Sequence, residues 1–92
     1  MIKKFKHKGL KKLFESGVLS GIQPQDANRL QQILALLETA DSVEDMDLPG
    51  LNLHELKGQR KGIDAVKVSG NWRVTFKFID GDIFNVDYED YH

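Results

Sequence analysis

His54 and His92 have side chains suited to proton transfer, and each has neighbours suited to holding a phosphate. Histidine is the side chain whose ordinary titration lies near neutral pH, so it can both take and return a proton there. Lys57 follows His54 by three residues, Arg73 lies midway between the two histidines, and Asp90-Tyr91 immediately precede His92. Cleavage of RNA by its own 2′-hydroxyl asks for such a set. One group must remove the 2′-OH proton, another must protonate the departing 5′-oxygen, and cations must offset the charge growing on phosphorus. His54 and His92 can carry the two proton transfers, and Lys57 and Arg73 the positive charge. Asp90 can orient an imidazole, and Tyr91 can hold a phosphate oxygen or stack on a base.

Each of these residues also has a plainer explanation. His54 follows Leu53 at what reads as a strand edge, where most histidines are ordinary surface residues. Arg73 can pair across a sheet with Asp87 or Asp64, and Asp90-Tyr91-His92 can be a polar tail. Several other chemistries are excluded. The chain has no cysteine, hence no disulfide, thiolate metal site or thiol nucleophile. The loop KGQRKG (57–62) lacks the GxxxxGK[ST] spacing of a phosphate-binding P-loop, there is no HExxH motif, and no cofactor is expected. The residues by themselves define a basic sheet face carrying candidate acid–base groups, and no more.

A formal net charge of −1 conceals how the charges are arranged. Of the 13 lysines and arginines, 6 fall within 3–12 and 6 within 57–77, while acids gather at 38–47 and 80–90. Such segregation makes a dipolar surface that attracts a polyanion without a high overall pI.

The elements that must position these groups follow from spacing and turn chemistry. A chain of 92 residues reads as one domain over 1–92 with a thin core. Residues 2–6 suit a short lysine-rich edge strand. Leu10, Leu13 and Phe14 share one face of a helix over 8–16, closed by Gly17. Pro24 opens a second helix, in which Ala27, Leu30, Ile33, Leu34 and Leu37 keep helical spacing to about residue 39. A strand-like stretch at 51–54 and three strands at 63–68, 71–79 and 83–88 follow, the last two joined by Asp80-Gly81-Asp82. Alternation puts Trp72, Val74, Phe76 and Phe78 on the core face and Arg73, Thr75 and Lys77 on the other. The fold class is therefore α+β, an N-terminal helical hairpin packed on one face of a curved, mainly antiparallel sheet. In that arrangement the last strand returns beside Arg73 and delivers 89–92 to a concavity shared with His54. No apolar stretch matches a secretory signal or a membrane span, so a soluble, cytoplasmic protein with no membrane partner is expected.

Three separated motifs, His-x-Leu-Lys-Gly-x-Arg at 54–60, Asn-Trp-Arg-x-x-Phe at 71–76 and Asp-Tyr-His at 90–92, together resemble the HigB branch of the RelE/ParE toxin superfamily. The opening MIKKFKHKGLKKLFESG is similar to how members of that branch begin, and the likeness runs end to end. The resemblance implies a RelE/ParE-like α+β toxin of a type II toxin–antitoxin pair. Its activity would be that of a ribosome-dependent mRNA endoribonuclease, cutting the codon in the A site without metal and leaving a cyclic or 3′ phosphate and a 5′-hydroxyl. The family's functional set falls on His54, Lys57, Arg73, Asp90, Tyr91 and His92. Contacts to ribosomal RNA would fall to Lys3, Lys6, Lys8, Lys11, Lys12, Arg60, Lys61 and Lys77, as phosphate contacts that position without reading sequence. Implied partners are a HigA-like helix-turn-helix antitoxin and the 70S ribosome with its mRNA, with no DNA contact except through the antitoxin. One departure is that relatives often carry an aromatic residue just after the glycine closing the basic loop, where this chain has Gly62-Ile63-Asp64, which keeps bulk and loses stacking. Two other readings predict different behaviour. A non-catalytic gyrase inhibitor of the ParE kind would provoke DNA damage responses and be indifferent to the histidines, and an inactive nucleic-acid-binding relative would leave growth unaffected.

Overall fold

Helix spacing and end chemistry shape the first half of the computed structural model, which describes residues 1–91. Helix α1 (Lys8–Ser16) starts at His7, whose Nδ1 accepts the Leu10 N–H at 3.1 Å. It ends at Gly17, which turns left-handed at φ 69° while its N–H donates to Leu13 O at 3.0 Å. A 3-10 turn over Pro24–Asp26 leads into helix α2 (Ala27–Thr39), and the proline suits a first position that needs no N–H donor. Leu10 and Leu13 of α1 meet Leu30, Ile33, Leu34 and Leu37 of α2 in the core. Gly9 makes this crossing possible. A Cβ there would lie 2.6 Å from Gly21 O, so only glycine lets α1 touch the turn that precedes α2. Phe14 stays half-exposed and packs on Phe5, with ring centroids 5.6 Å apart.

The sheet supplies the other layer. Its strands are β1 (His54–Glu55), β2 (Asp64–Ser69), β3 (Trp72–Ile79) and β4 (Asp82–Asp90), antiparallel throughout in the order β1-β2-β3-β4. Of the expected core-facing set, Val74 and Phe76 are buried against the helices and Trp72 and Phe78 are partly buried beside them, while Val66, Val68, Ile83, Val86 and Tyr88 complete the packed face. This is the architecture the sequence implies, a helical hairpin on one face of an antiparallel sheet. The expected strand at 51–54 shortens to two residues, because Asn52 sits at φ 51° and breaks the extended run. The expected edge strand at 2–6 becomes two isolated parallel bridges to β4, Ile2 to Ile83 and Phe5 to Val86.

One irregularity in β4 decides which side chains face outward. Lys77 pairs with Phe84 but Thr75 pairs with Asp87, so Asn85 and Val86 together oppose Phe76. Asn85 adopts φ 57°, the left-handed conformation asparagine tolerates better than most residues. The extra residue flips the alternation. Ile83 faces the helices before the bulge, and Val86 and Tyr88 face them after it, so Asp87, Glu89 and Tyr91 share the open face with Arg73. Residues 56–63 fold over part of that open face, held by Leu56 N–H to Ile63 O at 2.8 Å. This cover buries Thr75 to 2% exposure, although its position in the alternation gave it to the polar side.

Candidate active-site cleft

A cleft of about 380 Å³ opens at the end of the β2–β3 hairpin, lined by Asn52, His54, Lys67, Gly70, Asn71, Trp72, Arg73 and Tyr91. Three expected site residues, His54, Arg73 and Tyr91, therefore meet in one concavity. His92 lies outside the described residues. Lys57 lines a neighbouring depression with Glu55, Leu56, Gly58 and Lys61 instead of the cleft itself. Asp90 pairs with Trp72 in the β3–β4 register, which sets it beside Trp72 on the helix side of the sheet and away from Arg73.

His54 is fixed through its ring. Its Nδ1 lies 3.0 Å from Asn52 O, and only a protonated Nδ1 can bond to a carbonyl. In the neutral ring that bond leaves the lone pair on Nε2, the nitrogen available to take a proton. The loop carrying Asn52 is held from below by Arg29, whose Nη2 donates to Gly50 O at 2.6 Å and Lys67 O at 3.1 Å. Lys67 N–H in turn donates to Leu51 O at 2.7 Å.

Arg73 is held on two sides. Glu89, its cross-strand partner, accepts from Arg73 Nε at 2.9 Å, and the same Oε1 lies 2.8 Å from Nη2. The Tyr91 ring packs against the guanidinium face, 4.3 Å from the Arg73 Cζ to the ring centroid. Tyr91 is itself tied by its N–H to Asn71 O at 2.8 Å. Arg60 reaches across from the covering loop to the same acid, at 2.9 Å to Oε1 and 3.2 Å to Oε2. Burial pushes the Glu89 carboxyl up, yet hydrogen bonds from Arg60 and Arg73 outweigh it and hold the group below its usual range. The partner of Arg73 is thus Glu89, in place of the Asp87 or Asp64 that the sequence offered.

The hairpin end is anchored from behind by a buried acid. Asp26 is 2% exposed, and its two oxygens accept from Ser69 Oγ and Tyr88 Oη, each at 2.5 Å. Burial first, and then the bond to Asp26, push the Tyr88 phenol well above its usual range. Tyr88 also stacks on Trp72 with centroids 4.4 Å apart, so Trp72 forms the rim of the core and one wall of the cleft.

Of the expected RNA-contacting cations, Lys3, Lys6, Lys8, Lys11, Lys12, Lys61 and Lys77 are exposed. Lys6, Arg60 and Lys77 come together around a small depression on the open face that also includes Asp87. Arg60 is half-buried and already engaged by Glu89. Sequence reasoning missed Lys67, Asn71 and Glu89. Lys67 could have been found from its place opposite Arg73 across a Ser-Gly turn, whereas Glu89 is legible only once the bulge at Asn85 is known.

Comparison with known proteins sets this geometry in a lineage. The profile described as "RelE-like toxin of type II toxin-antitoxin system HigB" matches residues 3–92. The chain belongs to the HigB-like toxin family. Among its relatives, the Endoribonuclease HigB of Proteus vulgaris is 49% identical over the whole of both chains. The Toxin HigB-1 of Vibrio cholerae is 30% identical, over all of this chain and 98% of that one. The crystal structure of a YafQ mutant from E. coli shares the fold at a TM-score of 0.66 and 20% identity, covering 98% of this chain and 91% of that one. The fold is thus the RelE-like one, and the family is that of toxins paired with antitoxins. No helix among the described residues is long and apolar enough to cross a membrane.

Proposed function

We propose that this HigB-like toxin is a ribosome-dependent endoribonuclease that cuts mRNA in the A site by internal attack of the 2′-hydroxyl. The observation that carries the reading is the anchored His54 ring, whose Nδ1 is committed to Asn52 O, sharing a cleft with Arg73, Lys67 and Tyr91. In the reaction the 2′-oxygen loses its proton to an imidazole and bonds to phosphorus. The bond to the 5′-oxygen breaks, and that oxygen receives a proton, leaving a cyclic phosphate and a 5′-hydroxyl. His54 and His92 divide the two proton transfers. Arg73 meets the phosphorane charge from a fixed position, Tyr91 supports it, and Lys57 adds positive charge from the neighbouring depression. A relative of 49% identity named an endoribonuclease supports the same assignment. The surface lysines from 3 to 12, with Lys61 and Lys77, make phosphate contacts to ribosomal RNA, and a helix-turn-helix antitoxin of the HigA kind is the partner that silences the toxin in the cytoplasm.

The test is to express His54→Ala without antitoxin and to map mRNA ends on translating ribosomes. Loss of a positioned acid–base group lowers the cleavage rate by about 100-fold or more. Undiminished toxicity and unchanged cleavage in this variant would remove the mechanism.

A further inference from the structure

We propose that Glu89 is the positioning residue that aims Arg73 at the scissile phosphate, in exchange for weaker capture of RNA. The proposal rests on the reading of the cleft as an RNA-cleaving site. Arginine carries a long, rotamer-rich stem, and a cation that must reorganise as the reaction proceeds stabilises developing charge less well than one already fixed. Here the fixing is complete on one edge. Glu89 takes the Nε and Nη2 side of the guanidinium, and Tyr91 covers a face. The Nη1 corner is then the one that meets a phosphate oxygen in the cleft. Glu89 is fixed in turn by Arg60, so the loop over the open face, the end of β4 and the start of β3 share one acid.

That arrangement carries an electrostatic consequence. Two arginines around one carboxylate leave a net charge of +1, whereas the same arginines without it would present +2. Glu89 therefore holds Arg73 in place while reducing its pull on any approaching polyanion. Affinity and turnover should respond to its removal in opposite directions, which a merely structural role would not produce. Shortening the side chain while keeping the charge separates the two effects.

The experiment compares wild type, Glu89→Gln and Glu89→Asp in two assays. One is binding of a single-stranded RNA oligonucleotide with 2′-O-methyl groups, which cannot be cut. The other is single-turnover cleavage of ribosome-bound mRNA. Glu89→Gln should bind the oligonucleotide about 3-fold more tightly at low salt and cleave about 10-fold or more slowly. Glu89→Asp should bind within about 2-fold of wild type and still cleave about 10-fold more slowly. The Arg73 Nε–H resonance, observed in 15N-labelled protein, should lose its protection from water in Glu89→Gln. Cleavage at the wild-type rate in Glu89→Asp, or binding and cleavage falling together in Glu89→Gln, would overturn the proposal. So would an unchanged Arg73 resonance in Glu89→Gln. Failure of the wild-type protein to cut mRNA would instead sink the reading of the cleft.

Discussion

Tyr88→Phe removes a single oxygen and tests whether the buried acid behind the cleft holds the sheet to the helices. The ring remains, so its stacking on Trp72 at 4.4 Å and its burial are kept. What is lost is the 2.5 Å bond to Asp26 Oδ2, together with the backbone hydrogen bond that Gln23 makes to the phenol oxygen, leaving Ser69 as the remaining side-chain donor to that carboxyl among the described residues. A hydrogen bond to a charged group contributes about 1.5–3 kcal/mol, and burial of Asp26 places this pair toward the upper half of that range. For a chain of this size each kcal/mol moves the melting temperature by about 4–8 °C, so a fall of about 10–20 °C is expected. The assay is urea and thermal unfolding of wild type, Tyr88→Phe, Asp26→Ala and the double variant. Asp26→Ala strands the buried Tyr88 hydroxyl and the half-buried Ser69 hydroxyl, and Phe at 88 then removes the first of them. The double variant should consequently lose less than the sum of the two single variants, with a coupling of about 1.5–3 kcal/mol. Additivity of the two single losses to within about 0.5 kcal/mol would refute the reasoning.

Two other outcomes follow from the β4 geometry. Asn85→Val should cost about 1–2 kcal/mol, because a branched residue resists the left-handed conformation, whereas Asn85→Gly should be tolerated; urea midpoints decide it. Acidification should weaken the fold through Glu89. Its folded-state pKa lies below the ordinary 4.5, so the unfolded chain binds more protons as pH falls, and the stability present above about pH 4.5 is lost below it. Glu89→Gln should flatten this acid limb when urea midpoints are compared at pH 7, 4 and 3, and an unchanged acid limb would count against the Glu89 pairing.

Much of the fold was legible because local rules and tertiary packing agree. Leu10, Leu13, Leu30, Ile33, Leu34 and Leu37 keep helical spacing and are all buried, and Val74 and Phe76 alternate as a half-covered strand should. The site was legible in part for a similar reason. Arg73 is the first outward-facing residue of β3, and the Asp80-Gly81-Asp82 turn sends β4 back toward it. The residues that escaped are those whose meaning depends on register or cover. Without the bulge the turn would put Tyr88 opposite Arg73; with it Glu89 takes that place. Asp26 reads as an ordinary helix-start acid, and only the approach of Ser69 and Tyr88 makes it a buried hub. Thr75 reads as solvent-facing, and the loop at 56–63 reverses that. Trp72 reads as pure core because alternation says which face a side chain takes and not how near the rim it lies.

Asp26 also bears on how a small chain holds a cleft built from loop tips. Tips of turns are the least stable parts of a fold, while proton transfer asks for groups held to within a fraction of an ångström. The start of α2, with the 3-10 turn that leads into it, resolves the conflict. Asp26 and Arg29 lie three residues apart and reach opposite walls, Asp26 to Ser69 and Tyr88 behind the hairpin, and Arg29 to Gly50 and Lys67 beneath the His54 loop. The walls carrying His54 and Arg73 are thus referred to one rigid element that contributes no side chain to the cleft. The third wall, the end of β4, hangs on Asn71 O through the Tyr91 N–H and on Arg73 through Glu89. Arg60 holds the same acid from the covering loop and Asp26 holds Tyr88 two residues before Asp90, so the groups this wall delivers are tied both to Arg73 and to residues outside the cleft.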